Sequence, residues 1–225
     1  MRFTKLGLAL FTILASSPVM ATMRDNFYLG AGAGVAVDYW SLTVTDTSTG
    51  TNQITHSTGN NIIGNVFAGY GYTACNHFYL GGELGSNFPK RNTSLTRAGI
   101  ISTSNSFIDH LFVQDYVTAD VLPGYRFNDK LLAYGRVGAT YSHLSFLQGS
   151  NSTAGSDSFS SSSNKVGGRL GVGANCSLTK HLGAGLDYFY TYYPSVTSDW
   201  GQQNLQFKEK PHTSYLGLSV IYSFL

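Results

Sequence analysis

The chain has 225 residues and a net charge of +2, and only 12% of its residues are charged, while Gly (26), Tyr (15) and Phe (14) are abundant. Ordinary soluble domains carry about 25% charged residues, so this composition argues against a soluble globular domain. The near-neutral charge balance excludes a nucleic-acid partner.

In chain order, Met1–Ala21 reads as a secretory signal peptide: Arg2 and Lys5 supply the positive start, Leu6–Leu14 the apolar core, and Val19-Met20-Ala21 a small-residue cleavage site. The apolar core is too short to span a bilayer, and Pro18 interrupts it. A single mature domain, 22–225, is expected to follow. None of its stretches approaches the roughly 20 apolar residues of a spanning helix. Instead, period-two alternation predicts strands at 27–45, 60–72, 77–88, 113–127, 131–147, 164–177, 182–193 and 212–225. Tight turns at 73–76, 128–130 and 178–181 alternate with long polar links at 46–59, 89–112, 148–163 and 194–211. An exported chain that crosses a membrane without helices must close its sheet, because lipid satisfies no open strand edge. The expected fold is therefore all-β, an eight-stranded antiparallel up-and-down transmembrane β-barrel with four long extracellular loops.

The last strand carries the clearest alternation. Leu216, Leu218, Val220, Tyr222 and Phe224 form one apolar face ending in aromatics, with Ile221 the exception on the other side. Parity extends this reading round the wall. The first strand presents Leu29 to Tyr39 on odd positions to lipid, and the seventh presents Leu182 to Tyr192 on even ones. Aromatics gather at the ends of the outward sets, as headgroup-depth girdles require. On the inward parity, Glu83, Asp120, Arg136, Arg169 and Asp187 meet near mid-depth, joined by Asn65. An Arg facing lipid at the midplane would cost about 2–4 kcal/mol, which fixes the direction. Eight strands enclose only enough room for side chains, so these charges are expected to plug the lumen. Inward glycines (Gly30, Gly32, Gly34, Gly167, Gly171, Gly173, Gly183, Gly185) leave space for Phe67, Tyr116, Tyr134 and Phe189.

Gly124-Tyr-Arg-Phe127, a short turn and Leu131-Leu-Ala-Tyr-Gly-Arg-Val-Gly138 resemble the central hairpin of OmpA/OmpX-type and opacity-type outer-membrane barrels. The opening Phe27-Tyr-Leu-Gly-Ala-Gly32 and the closing 216–224 strand are similar too. The resemblance implies residence in the bacterial cell outer membrane, assembly by the barrel-assembly machinery through the C-terminal strand, and loops used for adhesion or immune encounter. The family's terminal Phe stands here one place before the end, ahead of Leu225, and no peptidoglycan-binding domain follows, so no cell-wall tether is expected.

The function expected is that of a monomeric structural or surface-interaction barrel, not an enzyme. Its partners are outer-membrane lipid and lipopolysaccharide, and any host or surface ligand met by loop residues such as Arg91, Arg97, Phe107, Trp200, Phe207, Lys208 and Lys210. One alternative is a narrow gated pore or hydrophobe conduit. Another is a lipid A hydrolase: His143-Leu-Ser145 resembles the His-x-Ser pair of outer-membrane lipid A deacylases, and Asp157 is a candidate to orient the His. No catalytic residue, cofactor or metal is assigned, since the six His are scattered without ligand spacing. Cys75 and Cys176 could pair in an oxidising compartment, but their turns lie about half a barrel apart, against the 4.4–6.8 Å Cα separation a disulfide tolerates.

Overall fold

The structure, a computed structural model, describes residues 24–74, 76–98, 106–150, 159–200 and 204–224. The 1–21 segment, Cys75 and Asp157 lie outside the described residues. The strands are β1 (Asn26–Asp46), β2 (Asn52–Thr73), β3 (Phe78–Phe88), β4 (Arg91–Ala98), β5 (Ser106–Asn128), β6 (Leu131–Ser150), β7 (Phe159–Ser177), β8 (Leu182–Tyr192), β9 (Val196–Trp200) and β10 (Leu205–Ser223). All pairings are antiparallel between neighbours, and β1 pairs with β10 from Tyr28↔Ser223 to Asp46↔Leu205, so the sheet closes on itself. β3 and β4 share the partner β5, and β8 and β9 share β10. Each such pair is one wall position, which gives a ring of eight.

The strands are about twice as long as a bilayer demands. A tilted spanning strand needs roughly 9–11 residues, whereas β1 has 21, β2 has 22 and β5 has 23. The surplus stands on the external side and corrects the expectation of four long loops. Most of 46–59, 89–112, 148–163 and 194–211 is strand in the described residues, and the β1–β2 link is reduced to 47–51.

Within the bilayer the outward residues are apolar: Leu29 is 51% exposed, Ile62 79% and Leu218 66%. Hydrocarbon, not water, meets these surfaces. Aromatic pairs mark the periplasmic rim, with Phe27–Tyr70 at 5.0 Å, Tyr125–Phe127 at 5.2 Å and Tyr222–Phe224 at 5.0 Å between ring centroids. Tyr39, Phe88, Tyr116, Tyr141, Tyr190 and Tyr192 are exposed at the external one. Beyond Tyr39 the polarity of the wall inverts. The outward residues of β1 become Ser41, Thr43 and Thr45, and the buried inward ones become Trp40, Leu42 and Val44. The strands leave lipid at this height and obey the rule of a water-soluble barrel, apolar inside and polar outside.

A bulge in β5 reorients one further side chain. The register with β6 shifts between Asp115 and Val117, so Tyr116 and Val117 both face outward. Tyr116 is 41% exposed and does not fill the lumen, contrary to the sequence expectation. The same shift turns Asp115 inward together with Asp120. The other three rings enter the lumen against glycines: Phe67 over Gly30, Tyr134 over Gly173 and Phe189 over Gly171, where a Cβ would collide with them.

Candidate functional site: the filled lumen

Side chains occupy the lumen in four tiers. At the periplasmic end Arg24 folds under the barrel before β1 begins, with a left-handed φ of 66°. Its backbone N–H donates to Ser223 Oγ (3.1 Å), and its carbonyl accepts from the Tyr79 hydroxyl (3.4 Å). Its guanidinium is completely buried, lies 5.0 Å from the Tyr28 ring centroid and 4.8 Å from that of Tyr134, and pairs with Glu83 Oε2 at 3.0 Å. Asn175 lies beside it and, with its amide turned so that the oxygen faces Arg24 Nε at 2.5 Å, adds an acceptor. Beside it, Arg126 pairs with Asp25 at 3.3 Å and donates to Thr73.

The second tier holds the charges that parity placed inward. Arg136 Nη1 lies 2.6 Å from both Glu83 Oε1 and Asp120 Oδ2, and Nη2 lies 3.1 Å from Asp187 Oδ1. Arg169 pairs with Asp120 at 3.1 Å and stacks on Phe189 at 4.1 Å. Tyr134 donates to Asp187 at 2.6 Å. Glu83, Asp120, Arg136, Arg169 and Asp187 therefore form one connected cluster from β3, β5, β6, β7 and β8. Asn65 faces the same space but makes no hydrogen bond to the cluster among the described residues; its Oδ1 is buried without a partner. The cluster needs Arg24 to balance, since the parity reading supplied three acids against two Arg. Arg24 was missed because it precedes the first alternating residue.

The third tier was also missed. Arg91, expected on an external loop, is 2% exposed inside the barrel. Its Nε reaches both Asp38 oxygens at 3.0 and 3.1 Å, and its Nη1 reaches Asp115 Oδ2 at 2.8 Å. Asp115 also accepts from Ser142 (2.6 Å), Tyr193 (2.8 Å) and Asn87 (3.1 Å), and Asp38 accepts from Asn61 (3.0 Å) and Thr213 (2.5 Å). A signal was present. Asp115 and Asp120 have opposite parity on one strand, so only a bulge lets both avoid lipid.

The fourth tier is apolar and extracellular. Trp40, Leu42, Val44, Leu95, Leu111, Val113, Leu144, Phe146, Tyr193, Val196, Leu205 and Phe207 form one buried cluster. Phe207, expected on a loop surface, is fully buried there, with its ring 5.5 Å from those of Phe146 and Phe159. Asp109, Gln148 and Glu209 are buried at this level too. Burial, with a smaller contribution from Asp109, pushes the Glu209 carboxyl up to about 8.

Between the second and third tiers a cavity of ≈ 10 Å³ is lined by Asn65, Asn87, Thr118, Arg136 and Arg169 among others. That is room for about one water molecule.

The remaining sequence candidates lie on the wall. His143 Nδ1 lies 2.7 Å from Asn164 Oδ1, while Ser145 stands between Phe112 and Ser162 in the ladder. His143 and Ser145 share no hydrogen bond among the described residues. Leu216, Leu218, Val220, Tyr222 and Phe224 are 43–66% exposed on the outer face of the closing strand, whereas Ile221 is buried inward. Cys176 is a free, half-buried thiol. Among the described residues no group of three His, Cys, Asp or Glu side chains is placed to hold a metal.

A family model described as outer membrane protein beta-barrel domain matches residues 6–224. No curated protein matches the sequence. Among solved structures, the outer membrane protein OprG from Pseudomonas aeruginosa is 14% identical, with 92% of this chain and 100% of that one covered and a TM-score of 0.56. The outer membrane protease OmpT from Escherichia coli is 10% identical, with 93% and 100% covered and a TM-score of 0.55. Neisserial surface protein A is 14% identical, with 88% and 97% covered and a TM-score of 0.43. At these identities the likeness is one of fold.

Proposed function

We propose, from the premise that this chain belongs to the outer membrane protein beta-barrel domain family, that it is a closed, non-conducting barrel of the outer membrane that acts through its extracellular surface. One observation carries the reading: two buried ion-pair tiers and an apolar cap lie in series along one lumen. Ions would have to separate the Arg136 and Arg169 ion pairs of the second tier and then those of Arg91 above it. The extracellular extension supports the same reading, because strands carried past the girdle and filled with their own core make a rigid platform for contacts beyond the lipid. The reading includes removal of 1–21 as a signal peptide, delivery to the barrel-assembly machinery through 216–224, and a monomeric state.

No catalytic step belongs to this proposal. His143 is held by Asn164 and not by Ser145, so the arrangement lacks the base–nucleophile contact that acyl hydrolysis requires.

The test is conductance in planar bilayers. The reconstituted native chain is expected to stay silent, and Arg91→Ala combined with Arg136→Ala to leak. Steady, stepwise current from the native chain would replace this reading with the gated pore. Mass spectrometry of lipid A from cells with and without the protein is expected to show identical acylation, and loss of an acyl chain would overturn the non-enzymatic assignment.

A further inference from the structure

Above Tyr39 the strands pair in two series, β9-β10-β1-β2 and β4-β5-β6-β7. Among the described residues no ladder joins β2 to β4 or β7 to β9, so the extension is two four-stranded sheets with the apolar cap cluster between them. Inward side chains of one sheet face those of the other. Glu209 of β10 projects from the first sheet between its ladder neighbours Leu42 and Val196. Asp109 of β5 and Gln148 of β6 stand directly opposite each other in the second, with Leu95 on the far side of Asp109. Leu42, Val196 and Leu95 all belong to the cap cluster, so the three polar side chains point into one interior.

Glu209 is 1% exposed, and Asp109 and Gln148 are 0% exposed. The Glu209 carboxyl, raised first by burial and then by the Asp109 charge, lies within electrostatic reach of that acid. Polar groups this deep cost stability unless something satisfies them. Among the described residues Glu209 Oε1 and both amide atoms of Gln148 have no hydrogen-bond partner, and neither residue takes part in an ion pair. Gln53 Oε1 of β2, opposite Val44 in the ladder, is buried without a partner as well. One cap thus gathers a carboxylate and two amides with unsatisfied oxygens, and no imidazole or thiol is among them. Oxygen ligands of this kind select a hard cation, and ligands spread over several strands suit the irregular shell of calcium better than the strict octahedron of magnesium.

We propose that the cap binds a divalent cation of the calcium type between its two sheets, with the Glu209 carboxylate and the Gln148 amide oxygen as ligands and Asp109 supplying negative charge beside them. The ion ties β10 to β6 where no backbone ladder connects their sheets. The site goes beyond the surface-interaction reading and does not depend on it, since it concerns how the extension is held and not what it meets.

The chain is refolded in phosphatidylcholine vesicles free of lipopolysaccharide, stripped with chelator and titrated with calcium chloride. Equilibrium dialysis is expected to show a single bound ion with a Kd of about 0.1–1 mM, the range of extracellular calcium modules. At ten times that Kd, hydrogen exchange of the β6 and β10 amides in the extension slows about tenfold. Magnesium binds about tenfold more weakly, and sodium chloride at matched ionic strength leaves exchange unchanged. Glu209→Gln keeps the side-chain shape without the charge; its calcium affinity falls about tenfold or more, and its cap no longer responds to the ion. Gln148→Leu also weakens binding, whereas Asp199→Asn, at an exposed carboxylate of β9, leaves it unchanged. The proposal is overturned if the native chain binds no calcium, if magnesium or sodium serves as well, or if Glu209→Gln or Gln148→Leu binds like the native chain. Loss of binding in Asp199→Asn would do so too, by moving the ion to the outer wall. Heat-modifiable migration checks that each variant has folded, and the native titration needs no variant.

Discussion

Arg136→Ala probes the lumen most directly. The guanidinium touches Glu83 and Asp120 at 2.6 Å and Asp187 at 3.1 Å, with 5% of its side chain exposed. Removing one partner of a buried, hydrogen-bonded ion pair costs about 3–5 kcal/mol, because the remaining charge is left in a low-dielectric interior. The geometry says which charge that is. Glu83 keeps Arg24 at 3.0 Å and Asp120 keeps Arg169 at 3.1 Å, whereas among the described residues Asp187 keeps no cation in direct contact, its hydrogen bond coming from the Tyr134 hydroxyl at 2.6 Å. Neutralising the orphan should therefore repair most of the damage: Arg136→Ala with Asp187→Asn recovers about 2 kcal/mol, in the range of a hydrogen bond to a charged group. Glu83→Gln in the same background recovers little and also weakens Arg24. The assay is equilibrium urea unfolding in lipid vesicles, followed by heat-modifiable gel migration and by tryptophan fluorescence. A loss below about 1 kcal/mol for Arg136→Ala, or equal rescue by Glu83→Gln and Asp187→Asn, would refute this account of the network.

Two further outcomes concern the extracellular cap. Glu209 lies above the membrane-spanning part of β10, and its carboxyl is raised by burial to about 8 in the folded chain against an ordinary 4.5. The folded state then holds a proton that the unfolded state releases, so cap stability is greatest below about pH 4.5. It falls by an amount on the order of 4 kcal/mol as pH rises toward 8. Hydrogen exchange of β9 and β10 amides across this window measures it. Glu209→Gln should abolish the slope and protect the cap at pH 8, and a flat native profile would count against the buried acid. Phe207→Ala removes a fully buried ring from the cap cluster, at a cost of about 3–5 kcal/mol. Limited proteolysis should then cut the extracellular extension while the membrane-embedded barrel remains heat-modifiable; an uncut chain would show that the ring does not hold the cap.

The sequence by itself determined the ring of eight, its antiparallel order and the direction of Glu83, Asp120, Arg136, Arg169 and Asp187, because hydrocarbon penalises a misplaced charge and strand geometry repeats every two residues. The same rule reached no further than the lipid. Above Tyr39 there is no hydrocarbon, so alternation changes sign and Trp40, Leu42 and Phe207 turn inward; read with the membrane's parity, that half of the wall looks like loop. Tertiary structure alone decided two things: that Arg91 binds Asp38 and Asp115, and that Arg24 returns beneath the barrel to Glu83. Each joins residues distant in sequence through closure of the sheet, and periodicity along a single strand does not encode which side chains will meet across a lumen.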